Sequence, residues 1–200
     1  MLKKGLNFAE RQIMFTGIIQ DQGEIISIET IEAGFMLRIQ SNLAEKNFSK
    51  GNSIAVNGVC LTVETFDSEI FSCTAVHETL DKTNISNLTV GDFVNLEAPL
   101  TMETPIAGHF VSGHVDFTSE VLEAGSNFKI KIPEEFLRFF PAKSSITING
   151  VSLTVVEANN EFLRVALIPE TLSVTNLGKL KPGSLVNVEI DLLARYIDSL

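Results

Sequence analysis

A thiol at Cys60, an imidazole at His114, a hydroxyl at Ser152, an ammonium at Lys143 and a carboxylate at Asp191 are the groups in this sequence best suited to chemistry. Together they supply nucleophiles and proton carriers, the set that addition and proton transfer require. Each also lies beside a stretch that the chain repeats, at a place where the two copies differ in chemical type. Taken singly, each has a plainer explanation. A lone strand cysteine is more often apolar filler than nucleophile. His114 reads as a solvated turn residue, Lys143 as a loop charge and Asp191 as the N-cap of a terminal helix. Glu78 and Glu170 read as turn or cap residues, and Thr62 and Thr154 as ordinary strand positions. Spacing alone does not make a site.

The repeat is what organises the chain. The run Ser53-Ile54-Ala55-Val56-Asn57-Gly58-Val59-Cys60-Leu61-Thr62-Val63 returns 92 positions later as Ser145-Ile146-Thr147-Ile148-Asn149-Gly150-Val151-Ser152-Leu153-Thr154-Val155. The same offset carries Glu78-Thr79-Leu80 onto Glu170-Thr171-Leu172, Thr83-Asn84 onto Thr175-Asn176, and Val94-Asn95 onto Val186-Asn187. Thr16-Gly17-Ile18-Ile19 aligns with Ser112-Gly113-His114-Val115 at an offset of 96, which a short loop contraction reconciles. In this alignment Cys60 faces Ser152, Ile18 faces His114, Gly51 faces Lys143, His77 faces Pro169 and Pro99 faces Asp191. Two copies are too few for a solenoid, so the chain reads as two similar domains dividing near Gly108 to Ser112.

Those domains must position the reactive groups, and their pattern is β. Glu24 to Ile28, Met36 to Ile39, Ser53 to Val56, Leu61 to Val63, Ile70 to Ala75 and Phe93 to Leu96 are strand candidates in the first copy. Asn57-Gly58 and Asn149-Gly150 each separate two apolar runs, the signature of a type I′ hairpin turn. Short strands at regular spacing favour a small closed barrel, which leaves no open edge. The tail from Leu192 to Leu200 instead spaces its apolar residues as an amphipathic helix. A lone helix of that length is marginal in water, so it should pack on the second barrel or on another subunit.

Composition excludes several classes. The chain has 200 residues, 44% of them hydrophobic, and a formal net charge of -10 without a basic cluster, which argues against nucleic acid. No apolar run approaches the roughly 20 residues that span a bilayer, and the start lacks a signal-peptide core. Two cysteines and three histidines in no ligand spacing argue against a metal site. Reduced thiols and a cytoplasmic location are expected.

Five motifs together are similar to those of the riboflavin synthase family. They are Met14-Phe15-Thr16-Gly17-Ile18-Ile19, the two Asn-Gly runs quoted above, Gly108-His109-Phe110-Val111-Ser112-Gly113-His114-Val115-Asp116, and Ile168-Pro169-Glu170-Thr171-Leu172. The resemblance extends from Met14 to Asp191 in the family's order and spacing. It implies an all-β protein: two similar six-stranded Greek-key β-barrels in tandem, plus a short C-terminal α-helix. The first barrel would cover residues 14–109 and the second, with the helix, 110–200. Residues 1–13 would be a disordered extension, and either Met1 or Met14 the true start.

The resemblance also implies a function: cofactor-free conversion of two molecules of 6,7-dimethyl-8-ribityllumazine to riboflavin and 5-amino-6-(D-ribitylamino)uracil. A four-carbon unit would pass between substrates at a site between subunits of a homotrimer. Some relatives associate with lumazine synthase. By motif matching, the first pocket comprises Cys60, Leu61, Thr62, Thr74, Ala75, Val76, His77, Glu78, Thr79, Gly113, His114 and Val115. The second comprises Gly17, Ile18, Ile19, Lys143, Ser152, Leu153, Thr154, Ile168, Pro169, Glu170, Thr171, Leu172 and Ser173, with Phe15 as an N-terminal aromatic. Cys60, His114, Ser152 and Asp191 would be catalytic. Ala107, Ala98-Pro99 and Asp81 depart from the family pattern without touching that set. The rival reading is a non-catalytic lumazine- or flavin-binding antenna protein, which tends to lose ligand residues from its second half.

Overall fold

A computed structural model describes residues 13–43 and 49–198. The expected N-terminal extension, apart from its last residue Ile13, and the final two residues of the tail lie outside the described residues.

Two six-stranded antiparallel barrels form the molecule. In the first, β1 (Asp21–Ile31), β2 (Gly34–Gln40), β3 (Ser53–Val56), β4 (Val59–Phe66), β5 (Ile70–Val76) and β6 (Phe93–Glu97) close in the order β1-β2-β5-β4-β3-β6. The second repeats this with β7 (Phe117–Glu123), β8 (Asn127–Ile130), β9 (Ser145–Ile148), β10 (Val151–Ala158), β11 (Leu163–Ala166) and β12 (Leu185–Ile190). In each, three hairpin-connected strands are followed by one that returns beside the first of them, which is the Greek-key path. All six strand candidates of the first copy are strands, extended by one to three residues at an end where they differ.

Side-chain alternation explains the closure. Along β4, Val59, Leu61 and Val63 are buried in the barrel, whereas Cys60 and Thr62 face outward. Register shifts between Val63 and Thr65, and between Val155 and Glu157, fall at matching places on β4 and β10. Such bulges add the twist that lets short strands curl into a barrel. Phe71 fills the first interior and Phe128 the second. Truncating either to Ala would destabilise by about 3–5 kcal/mol.

Both Asn-Gly turns have positive φ at both positions, 48° and 76° at Asn57 and Gly58, and 46° and 80° at Asn149 and Gly150. They meet across a local twofold axis: a Cβ on Gly58 would sit 2.7 Å from the Gly150 nitrogen. Around them Asn57, Asn84, Asn95, Asn149, Asn176 and Asn187 form a buried network. The Asn84 N–H donates to Asn187 Oδ1 at 2.6 Å, and the Asn176 N–H to Asn95 Oδ1 at 2.7 Å. The Asn95 and Asn187 amides donate to the Asn149 and Asn57 carbonyls, each at 2.9 Å. A satisfied polar seam of this kind fixes one docking geometry where an apolar one would tolerate sliding.

Among the described residues three short α-helices accompany the barrels: α1 (His77–Lys82), α2 (Pro169–Val174) and α3 (Leu192–Asp198). The expected tail helix is α3. Ala194 packs on the second core, and Arg195 and Asp198 pair with Asp116 and Arg138.

Candidate active site

Two arms cross between the barrels. Phe15 and Val111, equivalent in the repeat, exchange backbone hydrogen bonds of 2.8 and 3.0 Å. Beyond this bridge the Gly17 carbonyl accepts the Ser152 N–H of β10 at 2.8 Å, and the Gly113 carbonyl accepts the Cys60 N–H of β4 at 2.9 Å. Each arm therefore precedes one barrel and lies on the other. A Cβ at Gly17 or Gly113 would come within 2.6 Å of the Ser152 or Cys60 Cβ, so both positions demand glycine.

The first patch lies outside the first barrel. Cys60 and Thr62 point outward from β4. Val63 pairs with Cys73, so Thr62 and Thr74 flank that pair on the same outer face. Gly113, His114 and Val115 border the patch; His114 is exposed, and Val115 packs on the first core. Leu61 and Ala75 face the barrel interior, leaving only their main chain to the patch. Val76 ends β5, and His77, Glu78 and Thr79 open α1. His77 Nε2 lies 3.0 Å from the Glu32 carbonyl, and Glu78 pairs with Lys82 at 2.6 Å. Those two side chains are held by neighbours on the exposed rim.

The second patch has the same frame. Ser152 and Thr154 face outward from β10, bordered by Gly17, Ile18 and Ile19. Ile168 precedes α2, where Pro169 takes the first position, with Glu170, Thr171 and Ser173 along the helix; Leu153 and Leu172 lean on the second core. Lys143 lies in the turn before β9, its N–H donating to Val155 O at 2.8 Å. Asp191 caps α3 through the Leu193 N–H at 3.0 Å, the cap its position suggested. Phe15 is fully buried in the seam with Ile13, Ala55, Cys60 and Val111. Among the described residues no hydrogen bond or salt bridge joins Cys60 or His114 to Ser152, Lys143 or Asp191. A cleft of about 490 Å³ between the barrels is lined by Asn84, Phe93, Asn176, Lys179 and neighbours, and by none of the expected site residues. Asn57, Asn84, Asn149 and Asn176 of its lining already bond one another, which makes it the seam of the interface.

The walls behind the two patches differ. Ser152 Oγ lies 2.6 Å from His109 Nδ1, and His109 Nε2 lies 3.1 Å from Thr147 Oγ1. The equivalent positions behind Cys60 are Ile13 and Ala55, both apolar. Burial pushes the His109 ring below its usual pKa, and the nearby Asp191 charge works against that shift. Burial raises the Cys60 thiol, opposed by a Ser53 hydrogen bond, with the Glu189 charge adding to the rise. One patch thus offers a neutral thiol, the other a hydroxyl on an imidazole.

Sequence reasoning missed His109, Thr147, Glu97 and Glu189 as contributors. His109 stood inside a quoted motif, and Ala55 against Thr147 was a visible difference between the copies. Glu97 and Glu189 are identical in type, so a search for differences passed over them. Glu97 accepts the Thr16 N–H and hydroxyl, both at 2.7 Å, and the Gly17 N–H at 3.0 Å. Glu189 does the same for Ser112 and Gly113.

Twin barrels with crossed arms and two outward polar patches of unlike chemistry define a duplicated small-molecule-binding protein. Residues 16–99 and 112–191 each match the lumazine binding domain family. The chain is 40% identical over 190 residues to the riboflavin synthase of Actinobacillus pleuropneumoniae, covering 92% of this chain and 88% of that one. It is 37% identical over 196 residues to that of Mycobacterium tuberculosis, covering 94% and 98%. The solved structure of LumP complexed with riboflavin superposes with a TM-score of 0.78 at 28% identity, over 88% of this chain and 98% of that one. The chain belongs to the riboflavin synthase family and, with it, to the transferases. No helix among the described residues is long and apolar enough to cross a membrane.

Proposed function

We propose that the protein makes riboflavin from two molecules of 6,7-dimethyl-8-ribityllumazine, releasing 5-amino-6-(D-ribitylamino)uracil. The two products together contain all the atoms of the two substrates, so the reaction balances without an external oxidant or reductant. One observation carries the reading: two patches share a frame, yet one presents the Cys60 thiol against an apolar wall and the other the Ser152 hydroxyl against His109. A dismutation needs two unlike seats for one compound, a donor's and an acceptor's.

The patches belong to different barrels, and among the described residues no hydrogen bond or salt bridge joins Cys60 or His114 to Ser152, Lys143 or Asp191, so the productive pair comes from two chains. The first barrel of one subunit meets the second barrel of its neighbour in a cytoplasmic homotrimer. Facing substrates held this way turn an encounter into a positioned reaction, worth about 7–11 kcal/mol. Ser152 and Asp191, with Cys60 and His114 from the facing patch, handle addition and proton transfer; Lys143, Thr62, Thr154 and nearby main chain orient the rings and ribityl chains.

The similarity to LumP supports a second reading, ligand binding without turnover. Purified protein incubated with 6,7-dimethyl-8-ribityllumazine alone separates the two. Riboflavin appearing at one molecule per two lumazines consumed supports the enzyme. Saturable binding with no riboflavin formed supports the antenna reading.

A further inference from the structure

Two buried carboxylates stand outside the scheme above yet govern both patches. Glu97 ends β6, Glu189 lies one residue before the end of β12, and each is 3% exposed. Neither has a cationic partner in a salt bridge among the described residues. Each is held by three donors, two N–H groups and one hydroxyl. A buried carboxylate without a cation is tolerated only where such donors replace its hydration. A carboxamide could not substitute, because its NH₂ would face an N–H.

The segments these carboxylates grip do not serve their own barrels. Past Thr16, gripped by Glu97, Gly17 holds the Ser152 N–H and Ile19 packs on the second core. The Thr16 carbonyl also accepts the His109 N–H at 3.1 Å. Past Ser112, gripped by Glu189, Gly113 holds the Cys60 N–H and Val115 packs on the first core.

We propose that Glu97 and Glu189 are crossed positioning residues: Glu97 of the first barrel sets the Ser152 patch of the second, and Glu189 of the second sets the Cys60 patch of the first. The ligand side of this rests on the proposed function; the wiring stands without it. Each patch would thereby owe its shape to the other domain.

The test uses the full chain with Glu97→Gln and Glu189→Gln, read first by amide hydrogen exchange without ligand. Glu97→Gln should speed exchange at the Ser152 amide by about tenfold, the scale of one lost hydrogen bond to a charged group, and leave the Cys60 amide unchanged. Glu189→Gln should do the reverse. A general loss of stability would move both amides in both variants, and a same-barrel role would move the wrong one; either result overturns the proposal.

The second readout is riboflavin's protection of Cys60 from alkylation, which reports the first patch alone. Half-saturation should match the parent in Glu97→Gln and rise about tenfold in Glu189→Gln, following the same lost hydrogen bond. Equal effects in the two variants would overturn the crossed assignment. Should the Gln variants fail to fold, Thr16→Val and Ser112→Ala remove one donor each and must show the same crossed pattern. If the parent protein binds no riboflavin, the proposed function falls, while the exchange pattern still decides the wiring.

Discussion

His109 Nδ1 lies 2.6 Å from Ser152 Oγ, while the repeat places Ile13 and Cys60 at the same two positions of the other half. Duplication gave both domains one frame, and a few substitutions in the wall behind it made the two patches unlike. The imidazole lies between two hydroxyls and is desolvated, so it stays neutral near pH 7 and can take a proton from Ser152 or return one.

His109→Phe should therefore reduce turnover about 10²–10⁴-fold, the usual range for a lost acid–base group, while riboflavin binding changes little. Ser152→Ala should remove a similar factor, and the double variant no more than either alone. Burial depresses the folded pKa of His109, so its stability contribution is present above the ordinary imidazole value and is lost as pH falls through the depressed one. Turnover should follow the same acid limb. Asp191→Asn, by removing the charge that props the ring up, should shift that limb to lower pH. A pH–rate profile unchanged by His109→Phe would sink this assignment.

Lys143 offers a second test. Its φ of 73° is a conformation natural to glycine, and its repeat partner is Gly51, with φ of 89°. Both donate the same backbone bond at 2.8 Å, to Val155 and Val63. A lysine kept in left-handed strain suggests that its ammonium does something Gly51 need not. Lys143→Gly should raise stability by about 0.5–1 kcal/mol, the relieved strain less the added chain entropy, and should raise KM for the lumazine. Thermal unfolding and steady-state kinetics on one preparation check both signs.

Much of this was legible in the residue string, for physical reasons that differ by feature. The offset of 92, the Asn57-Gly58 and Asn149-Gly150 turns and the two-residue alternation are local signals, and they located the barrels. Helices α1 and α2 were not foreseen, because six residues are too few for a helical period to show; the Pro169 start was the one cue. Within the Cys60-Leu61-Thr62 run, alternation already assigns the Leu61 side chain inward and its two neighbours outward. The crossed arms were not readable from the residues alone, since nothing in Thr16-Gly17 tells which barrel it will lie on; the family resemblance alone set Gly17, Ile18 and Ile19 with the second pocket and Gly113, His114 and Val115 with the first. The buried grip of Glu97 became apparent only with the strand that carries it.

Helix α3 bears on assembly. Its inner side is spoken for by Ala194 and Arg195, while Leu193 and Ile197 are 63% and 70% exposed. Two large apolar groups one turn apart on a short helix form a surface better placed against another chain than in water. Leu193→Glu with Ile197→Glu should lower the sedimenting mass and abolish turnover, yet leave riboflavin able to protect Cys60 within a single chain. An unchanged mass would remove α3 from the proposed subunit contact.

The two thiols should behave as opposites. Cys60 is partly open to solvent, whereas Cys73 is buried on β5 and pushed up to about 12 by burial, with the Glu64 charge adding to the rise. A thiol reagent should modify Cys60 in the native protein, slowly because burial also raises that group, and reach Cys73 only on unfolding. Because the folded pKa of Cys73 lies above the ordinary value of 9.0, its contribution is complete below pH 9 and is lost as pH rises toward 12. Over those three units the loss is roughly 4 kcal/mol. Cys73→Ala should flatten the alkaline fall in denaturant stability over that window, at the expense of a small cavity at all pH values. Rapid modification of Cys73 in the folded protein, or an alkaline limb unchanged by Cys73→Ala, would contradict the buried-thiol account.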